Sequence, residues 1–212
     1  KNEEIILKSS PLIYETVKEL GFDISYYVVG NIKTTETYEK LPFKVIKIDP
    51  SAVLSGESFT INFIDHHKFK VEEGGCIKAG TYYFGDEILI KGKKIKVLTQ
   101  FKNSKTAVKE LSNYLVRFNS LKLVASQYRN KLSVSKPERE STVLKLAVRD
   151  VSQYKAVAFL NKLTENYIQK EIQDKNVASK NTIEFINDKL MDMKDSLSLI
   201  EMAIQDYKNQ HE

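Results

Sequence analysis

The sequence predicts an α+β fold: an α/β head with a mixed or antiparallel sheet packed by helices, carrying a long C-terminal helix with a coiled-coil seam. Three observations predict it. Hydrophobic residues recur with period two in several stretches between residues 24 and 148. Helical spacing occupies the N-terminal segment and residues 121–132. From residue 151 to residue 212 there is neither Gly nor Pro. The expected division is therefore a head over 1–150 and a helical arm over 151–212.

Residues 2–8 read as a short helical piece. The next helix opens with Ser10 as N-cap before Pro11. Ile13, Val17 and Leu20 share one face, Gly21 supplies the stop, and Phe22 folds back on Val17 as in a Schellman end. The period then changes. Strands are expected over 24–29, over 44–48 after Pro42, and across Phe59, Ile61 and Phe63, which alternate with Thr60 and Asn62. Residues 88–90 and 95–97 flank Lys91-Gly92-Lys93-Lys94 as a hairpin. Residues 114–118 form a further strand. Leu121, Val124, Ala125, Tyr128 and Leu132 line one helical face, and Val134 and residues 143–148 give the last strands, with Pro137 between them.

Asp150 and Gln153 fit a capping box for the final helix. A helix of about 60 residues would be about 90 Å long, far more than an ordinary core helix. Phe159, Leu163 and Tyr167 are placed to pack on the head. The pattern weakens between Gln173 and Asn181, where Asn176 and Ser179 take the seam positions. Ile183, Ile186, Leu190, Met193, Leu197, Ile200, Ile204 and Tyr207 then alternate by three and four, a sustained heptad seam that requires a partner helix, within the chain or between subunits. The arm is mildly acidic: eight Lys face eleven Asp and Glu from Asp150 onward, about −3, which leaves about +8 on the head of a chain whose net charge is +5. Such a head suits a solvated Lys-rich surface first, and an acidic glycan, a nucleic acid or an anionic membrane surface after that.

Apolar content of 42% is low for a fully compact chain and fits an elongated helix that buries one stripe at most. No window reaches the roughly 20 apolar residues of a membrane span. Both ends run into helical patterns without a cap or a stop, so the sequence is expected to be an excised segment of a longer chain. Cys76 is the single cysteine, which rules out an internal disulfide and reads as a structural or incidental thiol.

No catalytic, cofactor or metal site is expected. The sequence contains no Walker A loop, no G-x-S-x-G elbow and no H-E-x-x-H helix. His66-His67 beside Asp65 reads as a polar loop, because adjacent strand residues point to opposite faces. Glu72-Glu73 and Asp86-Glu87 lie near turns and lack the burial that general acid–base work needs. The eleven tyrosines interleave with apolar strand residues, as in Tyr26-Tyr27 and Tyr82-Tyr83-Phe84, and read as sheet packing. Tyr114-Leu115-Val116-Arg117-Phe118 has the mixed character of a base-stacking platform, with no nucleic-acid motif to support it.

Two runs carry a family resemblance. Leu7-Lys8-Ser9-Ser10-Pro11-Leu12-Ile13-Tyr14-Glu15-Thr16-Val17-Lys18-Glu19-Leu20-Gly21 resembles the start of the extracytoplasmic region in Wzz-type chain-length determinants, the polysaccharide co-polymerases. Leu160-Asn161-Lys162-Leu163-Thr164-Glu165-Asn166-Tyr167-Ile168, continuing through Asp174-Lys175-Asn176 to Asn181-Thr182-Ile183-Glu184-Phe185-Ile186, is similar to the opening of that family's long helix. The subgroup fused to a cytoplasmic bacterial tyrosine kinase is the most similar in character. The resemblance implies an α/β base near the inner membrane, a projecting helix, and a return segment to a second membrane helix. It also implies ring-shaped homo-oligomers in the periplasm that govern the length and export of capsular or exopolysaccharide. The implied partners are a separate polymerase, an outer-membrane channel and the growing glycan, and no nucleic acid. The kinase P-loop, the tyrosine-rich tail and the Pro-rich stretch of the subgroup are not in this sequence, and no catalytic residue is carried over. The alternative is a basic nucleic-acid-binding head on a coiled-coil dimeriser. A glycan-processing enzyme would need a deep pocket with convergent, perturbed carboxylates.

Overall fold

The structure is a computed structural model. It describes residues 2–30, 33–38, 41–49, 54–72, 79–100, 113–138 and 143–211, with backbone alone for 2 and 206–211. Cys76, Glu73 and the Gly74-Gly75 turn lie outside the described residues. The fold is α+β. In chain order come α1 (Asn2–Leu7), α2 (Ser10–Glu19), β1 (Ile24–Val29), β2 (Thr34–Thr37), β3 (Phe43–Lys47), β4 (Ser58–Phe63), β5 (Lys68–Glu72), β6 (Gly80–Tyr83), β7 (Glu87–Ile90) and β8 (Lys93–Thr99). They are followed by β9 (Asn113–Phe118), α3 (Leu121–Lys131), β10 (Leu132–Ser135), β11 (Lys145–Val148) and α4 (Gln153–His211).

Every described strand pair is antiparallel. A six-stranded sheet runs β2-β1-β9-β4-β5-β6, a three-stranded sheet runs β3-β8-β7, and β10 pairs with β11. The alternation of the sequence explains how the two larger sheets meet. Phe59 and Ile61 of β4, Phe69 and Val71 of β5, and Val116 and Phe118 of β9 point to one side. Phe43 and Val45 of β3, Ile88 and Ile90 of β7, and Ile95 and Val97 of β8 join them in a single core cluster. Phe43 sits edge-on to Tyr26, Phe63 and Tyr114 at 5.2–5.5 Å, which adds directional packing to the area buried. The Val45 N–H donates to the Tyr26 hydroxyl at 3.0 Å. That bond satisfies the phenol inside the core, where burial pushes its pKa up to about 12.

The helices gather a second buried set: Leu12, Ile13 and Val17 of α2, Val124, Ala125 and Tyr128 of α3, and Phe159 and Leu163 of α4. Helix α2 ends as its sequence requires. Gly21 has φ +67°, its N–H bonds to the Lys18 carbonyl at 3.0 Å, and the Phe22 N–H bonds to the Val17 carbonyl at 3.0 Å. This is the Schellman pattern, and it turns the buried Phe22 back under the helix. The N-terminal cap is Ser9, one residue earlier than expected, and it makes no side-chain capping bond. The β7–β8 hairpin is tighter than expected: Lys91 (φ 46°) and Gly92 (φ 78°) alone form the turn, as a type I′ two-residue loop demands.

The sequence did not single out β2, β5 or β6 as strands. His66 and His67 fall in the β4–β5 turn, where Asp65 Oδ1 accepts the His67 and Lys68 N–H groups at 2.7 and 2.8 Å. By compactness the chain divides into Lys1–Asn166 and Tyr167–Glu212, so the first turns of α4 belong with the sheets and not with the rest of the helix.

Gly21→Ala tests the helix end. No atom lies within 4 Å of an added Cβ, so the whole cost is backbone strain. A loss of about 1–2 kcal/mol in folding stability is expected from chemical denaturation, and a neutral result would show that the turn relaxes without cost.

Candidate functional site: the long helix and its seat

The capping box expected at Asp150 and Gln153 is not made. Ser152 is the cap: its carbonyl accepts the Ala156 N–H at 3.1 Å and its Oγ accepts the Lys155 N–H at 3.4 Å. Asp150 is engaged elsewhere. Its Oδ2 accepts the Tyr128 hydroxyl at 2.7 Å, its Oδ1 accepts the Ser152 N–H at 2.9 Å, and Lys131 Nζ lies 3.5 Å away. Burial alone would raise the Asp150 carboxyl. The Ser152 N–H, the Tyr128 hydroxyl and the charges of Lys131 and Lys155 outweigh it and hold the group below the usual carboxylate range. Burial and the same hydrogen bond push the Tyr128 phenol well up.

One turn into the helix, Lys155 is 6% exposed. Its ammonium pairs with Glu36 of β2 and lies 5.2 Å from the Phe22 ring centre and 6.0 Å from that of Tyr38. Phe159 and Leu163, four and eight residues on, are fully buried. Phe159 packs on Tyr128 at 4.5 Å, and Tyr128 on Phe22 at 5.2 Å. Phe159 and Leu163 are buried as their spacing predicts; the place of Lys155 among them, paired with Glu36, was missed in the sequence. Its signal is a lysine in line with Phe159 and Leu163 at intervals of four, a charge on the apolar stripe of an amphipathic helix.

In the second unit α4 continues as unbroken helix through Gln173–Asn181, the stretch where its pattern weakens. The seam residues Ile183, Ile186, Leu190, Met193, Leu197, Ile200 and Ile204 are 50–67% exposed in the single chain; the Tyr207 side chain lies outside the described residues. Phe185, Met191, Leu199 and Met202 are exposed off the seam. Lys180–Glu184 and Lys189–Asp192 pair along the surface at 3.9 and 3.0 Å, each worth only a few tenths of a kcal/mol.

The other candidate groups have structural partners. Asp86 Oδ2 accepts the Tyr83 N–H at 2.9 Å in a turn. Hydrogen bonds and charge from Lys94, with Lys96 beside it, lower the Glu87 carboxyl. Tyr114, Val116 and Phe118 are buried, and Arg117 lies 5.6 Å from the Tyr27 ring centre on the opposite sheet face. Those buried rings are not displayed as a stacking platform. Among the described residues no group of three or more His, Cys, Asp or Glu is placed to hold a metal ion, and no helix is long and apolar enough to cross a membrane.

The Asp150 network predicts an acid-sensitive seat. A carboxyl whose folded pKa is depressed stabilises the fold above its unfolded value and loses that contribution as pH falls through about 4 and below. Denaturation midpoints of wild type should fall over that window. Asp150→Asn should be less stable at neutral pH and show a shallower acid limb; an unchanged limb would mean other carboxylates dominate.

No protein-family model matches the chain, and no curated protein matches it. Among solved structures, one crystal form of Xanthomonas campestris FlgL aligns at 10% identity and a TM-score of 0.24 over 68% of this chain and 41% of FlgL. A second crystal form aligns at 10% identity and 0.28 over 83% of this chain and 54% of FlgL. The chain thus spans about half of FlgL or less, and at these scores the likeness carries no argument for a common fold or activity.

Proposed function

We propose that this chain is the extracytoplasmic, oligomerising scaffold of a polysaccharide co-polymerase that governs the chain length and export of capsular or exopolysaccharide. The observation that carries the reading is the exposed heptad seam from Ile183 to Ile204 on an unbroken 59-residue helix. Burying a large apolar side chain is worth roughly 1.5–3 kcal/mol, so the stripe favours a helix of a return segment or a neighbouring subunit, and in the chain alone a copy of itself. The sequence resemblance supports the same reading: the run 7–21 forms the end of α1 and all of α2 with its Schellman turn, and the run 160–186 lies within α4.

In this reading the parent protein is anchored in the inner membrane, with this part in the periplasm. It does no chemistry of its own. Its subunits form a ring, and the ring sets how long the growing glycan stays engaged with a separate polymerase before export through an outer-membrane channel. In the kinase-fused subgroup the phosphoryl-transfer chemistry resides in another domain.

Leu197→Asp tests the reading by placing a charge in the seam. Wild type should self-associate with rising concentration in sedimentation equilibrium, and the variant should remain monomeric with its sheets folded. In cells carrying the full-length variant, the size distribution of surface polysaccharide should shift while sugar synthesis continues. An unchanged distribution, with the variant present and its self-association lost, would refute the link between the helix and length control. Salt-dependent binding of DNA or RNA by the first unit would favour the nucleic-acid alternative instead.

A further inference from the structure

Helices α2 and α3 enclose an open groove of about 450 Å³, within the usual size range of small-ligand sites. Helical spacing builds it. On α3, Lys122, Ser126 and Arg129 stand at i, i+4 and i+7 along one exposed stripe, above Ala125. On α2, Ser10 and Tyr14 stand at i and i+4 opposite them. Arg129 Nη1 donates to Ser10 Oγ at 3.2 Å and closes one end.

The electrostatics are one-sided. No Asp or Glu lines the groove, and neither Lys122 nor Arg129 has a carboxylate partner among the described residues. Lys44, Lys70 and Lys93 likewise have no carboxylate partner among the described residues; Lys122 and Arg129 differ in lining one groove together. The N-terminal end of α2 adds its own positive potential. An aromatic wall, two hydroxyls and two unpaired cations form a chemically specific set. A guanidinium offers forked donors that match a carboxylate, a tyrosine ring takes the apolar C–H face of a pyranose, and serine hydroxyls exchange hydrogen bonds with ring hydroxyls.

We propose that this groove binds an acidic hexose, a pyranose that carries a carboxylate. The groove's own residues carry this inference whether or not the long helix assembles the chain into rings, so the two readings fail separately. The test is amide NMR of the 212-residue chain titrated with glucuronate, glucose, acetate and inorganic phosphate. Glucuronate should move the amides of Tyr14, Lys122, Ser126 and Arg129, with each of the other three at least several-fold weaker. The double variant Lys122→Gln/Arg129→Gln should weaken glucuronate binding about tenfold or more, with amides of the sheets unmoved to show an intact fold. Tyr14→Ala should weaken glucuronate while leaving the weak acetate response unchanged. Acetate or phosphate binding as well as glucuronate would reduce the groove to a general anion patch and overturn the proposal. Glucose binding equally well, or no response to glucuronate at these amides, would overturn it too.

Discussion

A buried ammonium at the start of α4 is the constraint on which the rest of the first unit depends. Lys155 and Glu36 are 8% and 20% exposed in their side chains, and leaving such a charge without its partner costs about 3–5 kcal/mol. To supply Glu36, β2 must sit at the edge of the six-stranded sheet beside β1. To cover the ammonium with an aromatic face, the Schellman turn after α2 must deliver Phe22. To hold the entry to α4, α3 must place Tyr128 on Asp150. One helical start thus gathers residues from three distant parts of the chain, and Phe159 and Leu163 complete the seat with apolar burial.

Beyond Asn166 the balance changes. The second unit is one helix whose described large apolar side chains from Ile168 to Ile204 are all about half exposed or more. Backbone hydrogen bonding and a few surface ion pairs leave such a helix marginal in water, because most helical stability in proteins comes from packing an apolar face. The seat anchors the first turns of α4 through Lys155, Phe159 and Leu163. Under the proposed scaffold reading, a helix of 59 residues with these side chains exposed would gain apolar burial from a partner helix laid along the three-four stripe. The groove between α2 and α3 belongs to the other end of the electrostatic asymmetry, where the basic excess of the first unit leaves Lys122 and Arg129 without carboxylates.

The legible parts of this fold are those written in neighbouring residues. Leu20-Gly21-Phe22 announces the helix end because only a glycine takes φ +67° cheaply there. Lys91-Gly92 announces the hairpin, and the lack of Gly and Pro after residue 150 announces the unbroken helix. Strand β2 was not legible, since Thr34-Thr35-Glu36-Thr37 is polar and depends on β1 for its pairing. The true helix cap was obscured because Asp150 and Ser152 both suit the role, and the choice is made by Tyr128, 22 residues from Asp150. Glu36 lies 119 residues from Lys155, so local pattern gives no hint of the pair. The groove has the same origin: Lys122, Ser126 and Arg129 read as an ordinary solvated stripe until α2 is packed against it.

Hydrogen exchange along α4 as a function of protein concentration tests the central claim most directly, that the distal helix is stabilised by a partner on its seam and its start is not. Protection of amides in 183–204 should rise with concentration, while protection in 155–163 stays constant because its stabilising contacts lie within the same chain. Equal protection in both stretches at every concentration, with no sign of association, would contradict the claim and show that the seam needs no partner.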